Sequence, residues 1–376
     1  MKVFLLSLLV GALSLASTST VHAQQLVPDT ETFEKAVVVS VNREMLDDTP
    51  NTTAPTRTQE ITVEVLTGVE KGNRVTFMND FTQLKQGDVF FLRHIVSHAD
   101  AREFYTVADP DRLSVLVALL LVFVVLTILV GGRQGTRALL SLCGSLLLIV
   151  YVLLPGITAG HSPLLVAIGT ASLIIVVGSY VTHGLNRTTT AAVLGMVSTV
   201  VVTGIAAWYV VSGAHFSGYS SEEVSYLHYQ FNGSIDILGL LLGGIIIGLL
   251  GVLYDSAIGQ AVAVEELMRA GQHLSGREVF VRAMRIGREH IGALVNTLAI
   301  AYVGAALPLL LLFSTSSVSM PYLLNTEILA TEIVRILIGS IGLILAVPVT
   351  TFVAVVILSR YGLPDRKEAP RRHTHQ

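Results

Sequence analysis

The chain has 376 residues, 52% of them hydrophobic and only 14% charged, with a mean hydropathy of +0.68, which is too apolar for a soluble globular protein of this length. A formal net charge of −3 gives no argument for a nucleic-acid partner, so the meaning of the charges lies in where they sit. The single cysteine, Cys143, falls in an apolar segment and rules out an intramolecular disulfide or a thiolate metal cluster.

Lys2 precedes a short apolar run from Val3 to about Ala16, and Val21-His22-Ala23 fits a small-x-small cleavage pattern. Residues 1–23 therefore read as a secretory signal peptide. The alternative is an uncleaved anchor, for which the apolar run is short. Residues 24–110 change character, with charges of both signs and short β-branched runs between turn signals. KAVVVSVNR, QEITVEVLTG, NRVTFMN, DVFFLRHIV and EFYTV are five expected strands, with VEKGN and KQGD as turns. Together they predict a small extracytoplasmic β domain, an OB-like barrel in the expectation. Nothing in it carries a catalytic signature. No cofactor or metal ligand set is assigned to any part of the chain.

From Leu113 onward, seven apolar segments approach the roughly 20 residues that cross a bilayer. They run from about 113 to 130, 138 to 154, 163 to 181, 191 to 211, 236 to 256, 291 to 313 and 331 to 358. If the N-terminal domain is exported, the alternate loops and the tail on the inner side hold 13 basic residues, from Arg133 to Arg372, and the outer loops 155–162, 212–235 and 314–330 hold none. That asymmetry predicts a cytoplasmic C-terminus and an odd number of crossings. The expectation is a seven-helix transmembrane domain over residues 111–360 and a basic cytoplasmic tail over 361–376.

Two connecting segments carry patterns of their own. The 212–235 loop mixes His215, His228 and several tyrosines, which suits an interfacial aromatic belt better than a metal site. The 257–290 loop contains Ser275 followed by Glu278, a capping-box spacing, ahead of VFVRAMRIGREH. Val279, Ala283, Met284 and Ile286 would share one face opposite several arginines, which predicts a basic amphipathic helix on anionic inner-leaflet lipid. A partner-protein site is the other reading of that helix.

The blocks GVLYDSAIGQAVAVEEL, GALVNTLAIAYVGAALPLLLLF and NTEILATEIVRILIGSIGLILAVPVTTFVA, with RQGTRALLSL and HGLNRTTTAAVLG before them, resemble the YibE/YibF family of bacterial multi-pass membrane proteins. The resemblance spans residues 35–358 and is most specific in its later blocks. It implies the bacterial cytoplasmic membrane as location and a polytopic architecture. A permease role is no more than a guess within that family.

Arg335 is the only Lys or Arg inside the long apolar segments. A charge there costs a few kcal/mol unless it faces a partner, water or a headgroup, so it marks a functional candidate. Glu332 lies three residues away on the same helical face and could pair with it, and Glu327 lies a turn or more before it. Gly339, Gly342 and Ala346 continue as a small-residue stripe that would let another helix approach. A second polar layer collects His183, Asn186, Asp255, Asn296 and Thr297 near the other side of the bilayer, where they could form a proton or ion site. Pro308 and Pro348 could kink the last two spans. Zincin, Walker and nucleophile-elbow signatures are missing, so no enzyme is expected, the enzymatic alternative being an intramembrane lipid-acting one built on a pair such as His183 with Asp255. The reading is a secondary transporter or permease-like protein for an unknown small solute or ion. A non-transporting envelope scaffold or sensor is the alternative, and a homo-oligomer is compatible with both.

Overall fold

In the computed structural model, residues 30–47, 56–97 and 102–364 are described. The signal-peptide segment, residues 48–55 and most of the basic tail lie outside them. The chain divides into two units, Met1–Val122 and Phe123–Gln376.

The first unit is a five-stranded antiparallel sheet, β1 (Thr30–Asp47), β2 (Thr56–Val65), β3 (Arg74–Asn79), β4 (Val89–Val96) and β5 (Glu103–Pro110), in the order β3-β2-β1-β4-β5. All five expected strands are present. Alternation along them puts Ala36, Val38, Ile61, Val63, Phe90, Leu92 and Val107 on one face, where they form a single buried cluster. β1 is 18 residues long and pairs with both neighbours, and its register shifts at Val38/Ser40 and Val41/Arg43. Such bulges increase local twist. The sheet curls into a half-barrel, bringing β3 and β5 close to each other.

The second unit is helical. The division falls inside α1 (Leu113–Leu148), which passes through a π-helical turn at Ile149–Leu153 into the short α2 (Leu154–Thr158). The expected segments 113–130 and 138–154 both fall within this apolar stretch, broken only at Gly132, whose φ of 53° and ψ of −134° are not helical. A Cβ at Gly135 would lie 2.0 Å from the Thr127 carbonyl oxygen, although eight residues of straight helix span about 12 Å. The helix therefore turns sharply at Gly132, with no loop between its two parts.

α3 (Pro163–His183), α4 (Arg187–Gly213), α6 (Ile237–Ala270) and α10 (Glu327–Tyr361) match the expected segments and overrun their ends, and α5 (Glu222–Gln230) lies between α4 and α6. α7 (Gly276–Ala305) and α8 (Leu307–Ser314) form a pair bent by 67°, followed by the short α9 (Met320–Asn325). The seven expected spans thus become five helices long and apolar enough to cross a membrane among the described residues, or six with the bent pair counted as one. The count differs because the first two expected spans lie in one element.

The expected 257–290 loop is also different. α6 continues to Ala270, and α7 starts at Gly276 behind the anticipated capping box of Ser275 and Glu278. Val279 and Ala283 are fully buried in the core cluster with Val264, Val355 and Leu358, while Ile286 is exposed. The apolar face of α7 thus packs largely on protein, because α6 and α10 extend far enough to meet it.

Small residues set how closely the helices approach. A Cβ on Gly195 of α4 would lie 2.8 Å from the Thr350 Cα of α10, and one on Gly342 of α10 would lie 2.8 Å from Thr203 Oγ1 of α4. Around this crossing, Met196, Val200, Ile246, Leu249, Leu253 and Ala346 fill the core.

Candidate functional site

α10 positions its charges by helical spacing. The Arg335 guanidinium donates to Glu332 at 2.9 Å and 3.3 Å, with both side chains partly buried. Arg335 also sits 5.9 Å from the centre of the Tyr302 ring of α7, a cation–π arrangement. Tyr302 reaches across to α6, where a Cβ on Gly248 would lie 2.4 Å from its hydroxyl. Glu332 and Arg335 form one wall of a cavity of about 330 Å³, closed by Gly218, Ser221, Ile237 and Gly244. The ion pair is therefore accessible from a cavity and also held by neighbours.

Glu327 does something else. In the first turn of α10, its carboxylate accepts from the Ser217 amide at 2.9 Å, the Ser217 hydroxyl at 2.7 Å and the Gly218 amide at 2.5 Å. It fastens the segment after α4 to the start of α10, where a negative charge also suits the helix dipole.

The second expected polar layer is divided among several places. His183 and Asn186 line a cavity of about 330 Å³ together with Thr188, Glu265, Arg269 and Pro364. Asn186 is the N-cap of α4, accepting from the Thr189 amide at 2.8 Å and donating to the His183 carbonyl at 3.1 Å. Asp255 lies on a different cavity, of about 570 Å³, with Ser141, Thr182 and Tyr254. His183 and Tyr254 link the two regions, with ring centres 6.0 Å apart. Asn296 and Thr297 join neither cavity: both are exposed on α7, and the Thr297 hydroxyl donates to Ala293 of its own helix. Pro308 opens α8 just after the 67° bend, whereas Pro348 sits inside an α10 that runs unbroken from Glu327 to Tyr361.

Several residues the sequence reading passed over matter more. Glu265 accepts from Arg269 at 2.9 Å and 2.7 Å and from the Thr188 hydroxyl at 2.5 Å, and Arg269 also donates to the Pro364 carbonyl. A Glu followed four residues later by an Arg was the available signal. Gln260, only 1% exposed, donates to the Ala283 carbonyl at 2.9 Å and to the Thr351 hydroxyl at 2.7 Å, joining α6, α7 and α10. Thr203 of α4, Ser256 of α6 and Thr331 and Thr350 of α10 are buried, and their hydroxyls have no hydrogen-bond partner among the described residues.

The bundle therefore has the Glu332–Arg335 pair toward the start of α10 and the Glu265–Arg269 pair toward the end of α6, each on a cavity wall, with buried hydroxyls on α4, α6 and α10. Residues 119–360 match the family described as YibE/F-like protein. No curated protein and no solved structure matches the chain.

Proposed function

Because the chain belongs to the YibE/F-like family and its helices are those of a membrane protein, we propose that it is a permease-like secondary transporter for a small solute or ion. One observation carries this reading. The Glu332–Arg335 pair stands toward the start of α10 and the Glu265–Arg269 pair toward the end of α6, two helices that pack on each other, and each pair faces a cavity. Charges held in such places suit binding and release of a polar cargo at the two sides. In this reading Arg335 and Glu332 meet the cargo at the outer side, and the cavity of His183, Asn186 and Glu265 meets it at the inner side. The transport test compares Glu332→Gln and Arg335→Leu with the parent protein. Both variants should insert and fold but lose flux; full flux in both sinks the reading.

The topology belongs to the proposal too. The turn at Gly132 divides α1 into two crossings, and the bent pair α7–α8 supplies one, which gives seven with the sheet unit outside and the C-terminus in the cytoplasm of a bacterial inner membrane. The cyclic order β1-β2-β3-β5-β4, with β3 beside β5, supports an OB-like barrel. Single cysteines at Ser217 and Ser275 in a Cys143→Ser background test the orientation. An impermeant thiol reagent applied to intact cells should label the first and spare the second; the reverse pattern refutes it.

The second reading, an envelope scaffold or sensor, is favoured by the Leu113–Thr158 stretch, whose most apolar window has no buried residue. Such a surface suits lipid or a second subunit.

A further inference from the structure

The richest cluster of ligating side chains lies in the sheet unit, away from the helical cavities. β4 pairs with β5 so that His94 is opposite Tyr105, and strand alternation puts Glu103 on the same face as Tyr105. Glu70 enters from the turn between β2 and β3, which is closed by the Gly72 amide donating to the Val65 carbonyl at 2.8 Å. One ligand atom from each of Glu70, His94 and Glu103 lies within 4.8 Å of the others.

Two features separate this cluster from an ordinary buried ion pair. His94 is only 9% exposed, and its Nε2 has no hydrogen-bond partner among the described residues. Its nitrogens stand 3.9 Å from Glu70 and 3.6 Å from Glu103, beyond hydrogen-bond length. Glu34 is 7% exposed on the same inner face, accepts from the Val69 amide at 3.1 Å, and leaves its second oxygen unpartnered. Among the described residues, a buried imidazole nitrogen and a buried carboxylate oxygen therefore lack partners at one end of the half-barrel.

We propose that Glu70, His94 and Glu103 bind a divalent transition-metal ion of the Zn²⁺ type, fastening the β2–β3 turn to β5 across the open seam. One imidazole with two carboxylates is a nitrogen-and-oxygen donor set that suits Zn²⁺, whereas Ca²⁺ and Mg²⁺ favour oxygen alone. Ligand atoms around tetrahedral Zn²⁺ sit roughly 3.3 Å apart, so groups that lie within 4.8 Å of one another need to close by about 1.5 Å at most. Tyr105 is the supporting residue. Its ring stacks on His94 at 4.5 Å and 8°, and its hydroxyl lies 3.2 Å from Glu70 and 3.1 Å from Glu103. Its single phenol hydrogen, shared between the Glu70 and Glu103 carboxylates, orients both ligands.

The test uses the full chain in detergent, stripped with chelator, titrated with Zn²⁺ near neutral pH by calorimetry and checked by metal analysis. The expected result is one tight site per chain, weakened roughly 100-fold or more by His94→Ala and by Glu103→Gln, and about tenfold by Tyr105→Phe. His228→Ala leaves it unchanged. Glu103 is largely solvent-facing, so its variant keeps the test valid if His94→Ala fails to fold. Zn²⁺ should also raise the thermal midpoint of the parent protein but not of Glu103→Gln. No tight site in the parent, or an equally tight site in Glu103→Gln, overturns the proposal, and neither outcome bears on transport.

Discussion

At the residue scale, the strongest constraints are side chains that hold separate elements together. Gln260→Leu keeps most of the volume but removes both donated bonds, to Ala283 and Thr351, and should cost about 1–2 kcal/mol. A lower thermal midpoint in detergent, with the fold retained, is the expected reading; an unchanged midpoint contradicts the role. In the sheet unit, the hydrogen bond from Lys35 at 2.7 Å, with one from the Leu113 amide, holds the Asp111 carboxyl below its ordinary value. A carboxyl whose folded pKa is lowered stabilises the fold above its unfolded value, near 3.9, and loses that contribution as pH falls through the folded value. Carboxyl NMR titration should show Asp111 titrating low, and Lys35→Met should move it up; no movement would mean the pair does not interact. The Arg335–Glu332 pair was legible in the sequence because three residues along a helix fix a shared face. Glu70, His94 and Glu103 were not, since a turn and two strands meet only once the strand register is known. Gln260 was equally hidden, because the stretch holding it was read as a connecting loop.

At the scale of elements, glycines decide how tightly α4 and α10 pack. Gly195→Ala would place its Cβ 2.8 Å from the Thr350 Cα, and backbone yields less than a flexible side chain, so a loss of roughly 1–3 kcal/mol is expected. Gly144→Ala, with nothing within 4 Å of the added carbon, is the control and should not lower stability. Thermal unfolding of the two in the same detergent measures the difference, and equal midpoints would refute the close approach. The expected positions of α3, α4, α6 and α10 came directly from apolar runs, and the start of α7 from its capping box. Helix ends were less legible: α6 and α7 extend well past their apolar runs, since packing on α10 rather than lipid stabilises those turns. The sharp turn at Gly132 has no apolar signature and depends on one left-handed residue.

At the scale of the molecule, composition separated an apolar helical unit from a mixed-charge sheet unit, and the structure divides the chain at Val122, inside α1. The helical unit is organised around α10, which packs on α4, α6 and α7 and carries the Glu332–Arg335 pair beside Tyr302. Hydropathy could show that α10 is long and apolar enough to cross a membrane but not which helices surround it. It therefore could not separate the two cavities or remove Asn296 and Thr297 from the second polar layer. The most direct test of the transport account is flux in proteoliposomes under imposed proton, sodium and potassium gradients, read with an ion-sensitive dye and a panel of labelled solutes. The account predicts flux above that of empty vesicles, abolished in a correctly folded Arg335→Leu protein. Wild-type vesicles that show no flux under any gradient, or an Arg335→Leu protein that transports as well as the parent, would contradict it.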